Sequence, residues 1–475
     1  MANNARRSNA NGQSIAPQDA EQLSTADVSG GLPRPKLILP SGRSSTANVK
    51  GEVRAAKMGS FRRAFPSIGQ PWAALKGRME AMRSDDVQWR HRGVPLHVYF
   101  AGEDVLEVAS EAYTMFMSEN ALAPSAFPSL GRMERDIIDA AVELFHGPDG
   151  ATGTFTSGGT ESIILAVKAA RDWARVSRLR TRERGEILLP ITAHPAFDKA
   201  AQLLDLDPVR VEIGPDFRAS VPALEAAITD RTILVVASAP SLPFGLIDPV
   251  DEIAELALRH GIWCHVDACI GGYIAPFATK LGYPVPQFDF AIPGVRSISA
   301  DLHKFGYAAK GASTLMVRNR ADAAFQAFEF SDWPKGKYFT PTLLGTRSGG
   351  ALAAAWAIIH YLGEDGYLRL TARVMELRDR YVDGITAIPG LKLLARPHLS
   401  IIAYGSDVVD ITAVGDQLVE RGWYVSRIAD PPSLHQTVNL VQEATIEEYL
   451  SDLEACVEQA RTHSLVGRNA EVLTY

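Results

Sequence analysis

The spacing of hydrophobic and polar residues divides the chain of 475 residues into four segments. Residues 1–55 have no regular hydrophobic period and are rich in Asn, Ser, Gly, Ala and Pro, which predicts a disordered arm or an extension that wraps around a partner. In residues 56–150 apolar side chains recur three and four positions apart, as in RMERDIIDAAVELFHG, and this spacing predicts helices. A helical segment is therefore expected to precede the rest of the chain.

Residues 151–345 alternate between short apolar runs and helical patterns. The runs ILLPI, TILVVAS and IWCHVDA have the length of buried strands, and PVDEIAELALRHG has the spacing of a helix. That helix has a start signal at Asp248 and Pro249 and an end signal at Gly261. Such alternation predicts a large, mostly parallel sheet with helices on both faces, which is the α/β fold class.

Residues 346–475 begin with an alanine-rich helical pattern, ALAAAWAIIHYL, and continue with short apolar runs separated by further helices. The runs LKLLA, LSIIAYG and GWYVSRI are typical of short strands. This segment is therefore predicted to form a smaller C-terminal α+β domain.

Charge and composition exclude several classes of partner. The formal net charge of -7 gives no electrostatic reason to expect nucleic acid or an acidic membrane surface. No run approaches the roughly 18 consecutive apolar residues of a membrane span, and the N-terminus has no apolar signal-peptide core. Three cysteines, Cys264, Cys269 and Cys456, are too few and too scattered for a disulfide framework or a metal site. We therefore expect a soluble protein in the reducing cytoplasm, without a bound metal.

Four short motifs in residues 151–345 carry the candidate chemistry. The first is Ser157-Gly158-Gly159-Thr160, directly before a long apolar helix. Paired glycines allow backbone N–H groups to approach an anion, and a helix N-terminus adds partial positive charge. Taken alone, the same residues are also compatible with a simple tight turn.

The second and third motifs each follow or end an apolar strand run. His194 follows ILLPI, where a flat imidazole could stack on a planar ring or merely form a hydrogen bond within the loop. Asp267 ends the run WCHVD, where an ionised carboxylate is costly unless a cationic or protonated partner faces it. Because ligands bind at the strand ends of parallel sheets, both residues are candidates for a binding site, although a structural role stays open for each.

The fourth motif, SISADLHKFG, is followed by YAAKG and places His303, Lys304 and Lys310 close together. Burial among small residues disfavours the charged form of an amine, so we expect the pKa of Lys304 to fall and the amine to become a nucleophile. His303 is a candidate donor to a phosphate group. Together the four motifs supply an anion cradle, a stacking ring, a carboxylate and a reactive amine, the parts needed to hold pyridoxal 5′-phosphate (PLP).

The same motifs resemble a known family. SGGTES, AHPAFDKA, HVDACIGGY and SISADLHKFGYAAKG are similar to the fold-type-I, PLP-dependent enzymes of the group II decarboxylase family, and within it to the sphingosine-1-phosphate lyases. The resemblance runs almost colinearly from about Val98 to Glu454. It implies a large PLP-binding domain, here residues 151–345, and a small C-terminal domain, residues 346–475.

The resemblance also implies a role for each motif. It implies that Lys304 forms the covalent link to the cofactor, that Asp267 pairs with the pyridinium nitrogen, and that His194 stacks on the ring. The implied phosphate-binding residues are Ser157, Gly158, Gly159, Thr160 and His303.

Residues outside these motifs match the family as well. Tyr99 aligns with a tyrosine of the active-site entrance, Lys310 with a second lysine near the reacting centre, and Asn120 with the asparagine of a family motif, NPLHPD. The family implies a homodimer with shared active sites, in which the segment Gly345-Thr346-Arg347 approaches the neighbour's cofactor. Tyr99 and Lys310 are therefore predicted catalytic residues, together with Lys304 and Asp267.

Two departures from the family pattern concern the substrate. Ala123 stands where NPLHPD has its histidine, and Phe244 stands where the family has a histidine in PHG. The losses remove hydrogen-bond donors for the polar head of a substrate, while the cofactor-binding motifs are complete. The substrate is therefore less well defined by the resemblance than the cofactor.

The resemblance implies one of two reactions on a small-molecule amine. The favoured reaction is carbon–carbon cleavage of an amino alcohol or its phosphate, such as a sphingoid base phosphate, to an aldehyde and an amine, with Lys310 or Tyr99 assisting proton transfer. The alternative is α-decarboxylation of an amino acid, which a less polar entrance favours. A non-catalytic PLP-binding protein is disfavoured, because the sequence retains Lys304, Asp267 and His194 together.

Overall fold

The computed structural model describes residues 65–92, 97–177 and 184–468. The disordered arm expected over residues 1–55 lies outside these ranges. Contacts divide the chain into two units, Met1–Arg78 and Met79–Tyr475. All the strands of the described residues belong to the second unit, and domain boundaries after residues 150 and 345 stay a prediction.

Helices and strands alternate through most of the second unit. The α-helices of the described residues are α1 (Trp72–Met82), α2 (Trp89–Arg92), α3 (Glu103–Met115), α4 (Pro128–Leu144), α5 (Gly159–Ser177), α6 (Ala196–Leu204), α7 (Val221–Ala226), α8 (Val250–His260), α9 (Ala275–Lys280), α10 (Arg320–Gln326), α11 (Gly349–Ala387), α12 (Ile411–Glu420) and α13 (Ile446–His463). The strands are β1 (Thr152–Thr156), β2 (Glu186–Pro190), β3 (Asp207–Val211), β4 (Thr232–Ser238), β5 (Trp263–Asp267), β6 (Val295–Ala300), β7 (Ser313–Val317), β8 (Phe328–Phe330), β9 (Tyr338–Thr340), β10 (Leu391–Leu393), β11 (Ile401–Ser406), β12 (Ser426–Ile428) and β13 (Ser433–Thr437).

The larger sheet has the strand order β1-β7-β6-β5-β4-β2-β3. The strands from β6 to β3 in this order are parallel, whereas β7 is antiparallel to both of its neighbours. The central strand β4, TILVVAS, is buried at every position, as expected for a strand in a sheet that is covered on both faces. The prediction of a large, mostly parallel sheet is confirmed.

Of the two predicted ends of helix α8, the C-terminal one is correct and the N-cap residue is wrong. Gly261 has φ 59° in the left-handed region and ends the helix as predicted. Asp248 does not cap the helix, whose N-cap residue is Pro249. Its carboxylate instead accepts hydrogen bonds from the N–H groups of Ala219 (2.8 Å) and Ser238 (2.7 Å), because these buried amides need an acceptor.

The C-terminal part forms a second, antiparallel sheet with the order β10-β11-β13-β12. The runs LKLLA, LSIIAYG and GWYVSRI contain β10, β11 and β12, so the expected smaller α+β region is present. Helix α11 leads into it and is kinked at Gly363, where φ is 57°. Among the helices of the described ranges, none is long and apolar enough to cross a membrane.

Candidate active site

A cavity of about 720 Å³ lies at the carboxyl ends of the parallel strands, and we call it the strand-end cavity. Its wall includes residues that end β4 and β5 and residues that follow β2 and β6, the usual position of a ligand site in such a sheet. The sequence-predicted residues that line it are Ser157, Gly158, Gly159, Thr160, His194, Asp267, His303 and Lys304.

The glycine pair lies between β1 and α5, where the main chain closely approaches the opposite wall. A Cβ atom on Gly159 would lie 2.8 Å from Sγ of Cys269 and 2.9 Å from Oδ2 of Asp301. A Cβ atom on Gly158 would lie 3.6 Å from Cε1 of His303, so this imidazole borders the same loop. Since α5 begins at Gly159, its N-terminal amides and helix dipole favour an anion at this position.

Lys304 forms an ion pair that the sequence analysis did not anticipate. Its Nζ atom lies 3.0 Å from Oδ2 of Asp301, whose side chain is 2% exposed. Burial lowers the pKa of Lys304, but the Asp301 carboxylate outweighs this effect and raises the pKa above the ordinary value of a lysine. The expectation that the pKa of Lys304 falls is therefore wrong, because a carboxylate three residues earlier stabilises the ammonium form.

Asp301 responds to the same pairing. Burial raises the pKa of its carboxyl group, yet Lys304 and His303 together bring the pKa below its usual value. The pair is therefore an ammonium and a carboxylate at neutral pH. The sequence contained a signal for Asp301, since it directly follows the mostly buried strand β6 just as Asp267 ends β5.

His194 and Asp267 are held at two other strand ends. Nδ1 of His194 accepts a hydrogen bond from the Ala196 N–H at 3.1 Å, which assigns the ring proton to Nε2. Burial lowers the pKa of His194 although Asp267 opposes this effect, so the ring is mainly neutral at pH 7. Oδ1 of Asp267 accepts hydrogen bonds from the Cys269 N–H (3.1 Å) and the Ser299 hydroxyl (3.3 Å). A neutral flat ring and a fixed carboxylate therefore face the cavity.

Lys310 and Tyr99 lie beside the strand-end cavity rather than in its wall. Nζ of Lys310 donates hydrogen bonds to the carbonyl oxygens of His97 (2.5 Å) and His303 (3.1 Å) and lies 5.4 Å from the centroid of the Tyr99 ring. Burial and the charge of Lys304 lower the pKa of Lys310 to about 8. An amine that titrates near neutral pH therefore lies next to the loop that carries Lys304.

His97 belongs to the same group of basic side chains and was missed by sequence reasoning. Its backbone has φ 53°, an uncommon conformation for a residue other than glycine. Partial burial lowers the pKa of its imidazole, and the charges of Lys304, Lys310 and His194 lower it further. No motif marks His97, because its place beside the site depends on the contact of its carbonyl group with Lys310.

A second cavity, of about 760 Å³, lies among α4, α9 and α11. It contains none of the sequence-predicted site residues, and its wall includes the aromatic residues Tyr273, Phe277, Phe288 and Tyr367. No group of three or more His, Cys, Asp and Glu side chains in the described part of the chain is arranged to hold a metal ion. The candidate chemistry is therefore concentrated at the strand-end cavity.

The strand-end cavity fits PLP on its own features. Its volume lies within the roughly 300–1,000 Å³ that is typical of small-molecule sites. Thr192 lines it, and the buried Oγ1 atom of this residue has no hydrogen-bond partner within the described residues, so it can hydrogen-bond a polar group of the cofactor. Backbone amides for a phosphate, the carboxylate of Asp267 and the amine of Lys304 surround the same space.

Comparisons with known proteins agree with this fit. The pyridoxal-dependent decarboxylase conserved domain matches residues 56–405. The sphingosine-1-phosphate lyase of Oryza sativa subsp. japonica is 38% identical over 412 residues, which are 85% of this chain and 76% of that protein. The L-aspartate/L-glutamate decarboxylase of Pyrococcus horikoshii is 34% identical over 354 residues, which are 73% of this chain and 88% of that protein.

Among solved structures, the sphingosine-1-phosphate lyase of Burkholderia pseudomallei is 37% identical, with a TM-score of 0.80 over 87% of this chain and 96% of that chain. The chain thus belongs to the pyridoxal-dependent decarboxylase family and has the fold-type-I architecture. It is a PLP-dependent lyase enzyme. Within the family it is a sphingosine-1-phosphate lyase-like member.

Proposed function

We propose that the protein is a carbon–carbon lyase that cleaves a phosphorylated long-chain amino alcohol into an aldehyde and an amine. One observation carries the proposal. The similarity to sphingosine-1-phosphate lyases extends over 96% of the Burkholderia pseudomallei chain, and the motif SISADLHKFGYAAKG forms part of the strand-end cavity and of its rim.

The proposed roles follow from the positions of the side chains. When bound, PLP supplies an electron sink for the bond that breaks. Lys304 holds the cofactor covalently, Asp267 keeps a proton on the ring nitrogen, and His194 stacks on the ring. The residues Ser157, Gly158, Gly159, Thr160 and His303 hold the phosphate.

The basic side chains in and beside the strand-end cavity favour a substrate with an anionic head group. The positive charge of Lys304 lowers the pKa of each of His97, His194 and Lys310, so all three lie near that amine. Neither Ala123 nor Phe244, the two positions that lack the family's histidines, lines the strand-end cavity of this chain. We propose that His97 provides a donor that these positions lack.

Lys310 is the proposed general base for the substrate hydroxyl group, and this role predicts a pH dependence. The neutral amine is the basic form, and with a pKa of about 8 its fraction rises as the pH rises through 8. We expect kcat/KM to increase from pH 6.5 to a plateau above about pH 9. Lys310→Met should remove this rise and lower kcat by about 10²–10⁴-fold.

The matched control is Lys280→Met, which removes an exposed amine paired with Glu364 (2.6 Å) outside the strand-end cavity. It should keep the wild-type pH profile. If Lys310→Met retained the rise near pH 8, the ionisation would belong to another group and the proposed role of Lys310 would be wrong.

The reaction itself is tested with purified protein, added PLP and a phosphorylated long-chain amino alcohol, with aldehyde as the measured product. Free amino acids are assayed in parallel for release of CO₂, because the Pyrococcus horikoshii relative is a decarboxylase. We expect aldehyde and no CO₂. Release of CO₂ without aldehyde would replace the proposal by the amino-acid decarboxylase.

We further propose a homodimer, since an exposed apolar surface lies next to the cofactor site. It consists of side chains on and after the β8–β9 hairpin that are each about half exposed, and we call it the apolar hairpin surface: Phe328, Phe330, Trp333, Leu343 and Leu344. Phe339 is also half exposed, but it pairs with Glu329 and lies on the opposite face of the hairpin. Apolar patches of this kind mark protein contacts, and a second copy of the chain is the most common partner.

Arg347, which follows the apolar hairpin surface in the sequence, forms an ion pair and hydrogen bonds within its own chain. The guanidinium group of Arg347 pairs with Glu134 (2.6 Å) and donates to the carbonyl oxygen of Ala121 (2.9 Å), while Asn120 accepts a hydrogen bond from the Arg347 N–H (3.2 Å). The side chain of Arg347 therefore serves its own protomer. The approach of residues 345–347 to a neighbour's cofactor stays a prediction of the homodimer.

A reducing, cytoplasmic location is part of the proposal. The three cysteines, Cys264, Cys269 and Cys456, are all buried and unpaired by disulfides. Burial raises the pKa of each thiol, which makes the thiols unreactive. Such cysteines are typical of intracellular proteins.

A further inference from the structure

Glu161 connects the phosphate cradle to a distant segment of the chain. It lies in the first turn of α5, and 5% of the residue is exposed. Oε2 accepts a hydrogen bond from the N–H of Ser157 (2.7 Å), and Oε1 accepts hydrogen bonds from the N–H groups of Leu343 (2.9 Å) and Leu344 (3.2 Å). A buried carboxylate needs such donors, and here they come from two separate loops.

The second of these loops is part of the apolar hairpin surface. The side chains of Leu343 and Leu344 are 54% and 43% exposed, while their N–H groups point inward to Glu161. Thr342 fixes the loop through a hydrogen bond from its hydroxyl group to the carbonyl oxygen of Leu344 (2.7 Å). The orientation of the exposed leucines therefore depends on the position of the Glu161 carboxylate.

We propose that Glu161 is a positioning residue that couples occupancy of the cofactor cradle to the order of residues 343–344. When a phosphate group orders Ser157 and the following amides, the Glu161 carboxylate becomes fixed and in turn orders residues 343–344. These residues then have less conformational entropy to lose when they enter a dimer interface. With the proposed homodimer, PLP binding then strengthens dimerisation. By thermodynamic reciprocity, dimerisation strengthens PLP binding by the same factor.

Glu161→Gln tests the coupling without a change in side-chain size. A glutamine has one acceptor oxygen, so its NH₂ group must face either the Ser157 N–H or the N–H groups of residues 343–344, and one connection is lost. The matched control is Glu186→Gln, since Glu186 is also 5% exposed and hydrogen-bonds Arg231 and Thr229 at the opposite end of β2.

Hydrogen exchange of the full-length apo- and holo-proteins measures the intrachain connection. We expect PLP to slow amide exchange at Leu343 and Leu344 in wild type and in Glu186→Gln, but not in Glu161→Gln. PLP-dependent protection that persists in Glu161→Gln would overturn the proposal. Glu161→Asp, which is one methylene shorter, serves as a second variant. Should neither variant fold, the absence of PLP-dependent protection in wild type would overturn the proposal by itself.

Sedimentation of the same samples measures the consequence for assembly. We expect PLP to lower the dimer dissociation constant of wild type by roughly 5- to 150-fold and that of Glu161→Gln by less than about twofold. A wild-type monomer that still shows PLP-dependent protection of Leu343 and Leu344 would disprove the homodimer and support the role of Glu161. An unchanged PLP effect on the dimer of Glu161→Gln would overturn that role.

Discussion

Replacing Lys304 with alanine is expected to abolish covalent attachment of PLP and to lower kcat by roughly 10⁴- to 10⁶-fold, the range found when the nucleophile of a covalent catalyst is removed. The amine is surrounded by the other candidate groups, with Asp301 at 3.0 Å and the glycine loop in the same cavity wall. Absorbance of the bound cofactor and mass spectrometry after borohydride reduction measure the attachment. Steady-state kinetics measure kcat.

The alanine variant also leaves Asp301 without its cationic partner, so a second substitution must separate chemistry from stability. Lys304→Arg keeps a cation beside Asp301, but the planar, delocalised guanidinium group lacks the primary amine that attaches PLP. We expect Lys304→Arg to be as inactive as Lys304→Ala and to unfold at a higher temperature than it. Covalently bound PLP in either variant would contradict the role assigned to Lys304.

The ion pair itself has a defined pH dependence. The pKa of Asp301 is lower in the folded protein than its ordinary value, so the stability that it contributes is present above the ordinary pKa of an aspartate, about 4, and is lost as the pH falls through the lowered value. The pKa of Lys304 is raised, so its contribution persists through neutral pH and disappears only above the ordinary pKa of a lysine. Between these limits the pair remains intact.

Much of the fold could be predicted from the sequence, because burial of strands leaves a clear pattern. TILVVAS and IWCHVDA contain β4 and β5, and the regular alternation with helices defined a parallel sheet. The strand β13, SLHQT, was missed because its sequence is mostly polar, and its place between β11 and β12 results from pairing. The Asp248 prediction failed because two amides elsewhere in the fold compete for the carboxylate.

The candidate site was predictable to the extent that its residues lie in local motifs. Eight proposed cofactor-binding positions line one cavity, and the pair of Lys304 with Asp301 that adjusts one of them is also local in sequence. Local sequence suggested a lowered pKa for Lys304, and the position of one carboxylate reversed the direction. Two partners of Glu161, Leu343 and Leu344, are 182 and 183 residues away, so no local pattern could reveal them.

Asp267→Asn is expected to lower kcat by about 10²–10³-fold while PLP remains attached to Lys304. Asparagine has nearly the same size, but its neutral amide cannot stabilise a proton on the cofactor's ring nitrogen as a carboxylate does. The site is already oriented for this role, because Oδ1 is fixed by the Cys269 N–H and the Ser299 hydroxyl and the residue is 8% exposed. Kinetics and the absorbance of the attached cofactor give the two measurements.

Asp289→Asn is the matched control, since Oδ1 of Asp289 accepts the N–H two residues later (3.0 Å), just as Oδ1 of Asp267 does (3.1 Å). Asp289 is 5% exposed and pairs with His146. It lies outside the strand-end cavity. It should change stability and leave kcat close to wild type. An equal loss of kcat in both variants would show that turn geometry rather than charge is responsible. A loss confined to Asp267→Asn, with the cofactor attached, locates the effect in the carboxylate that faces the cofactor.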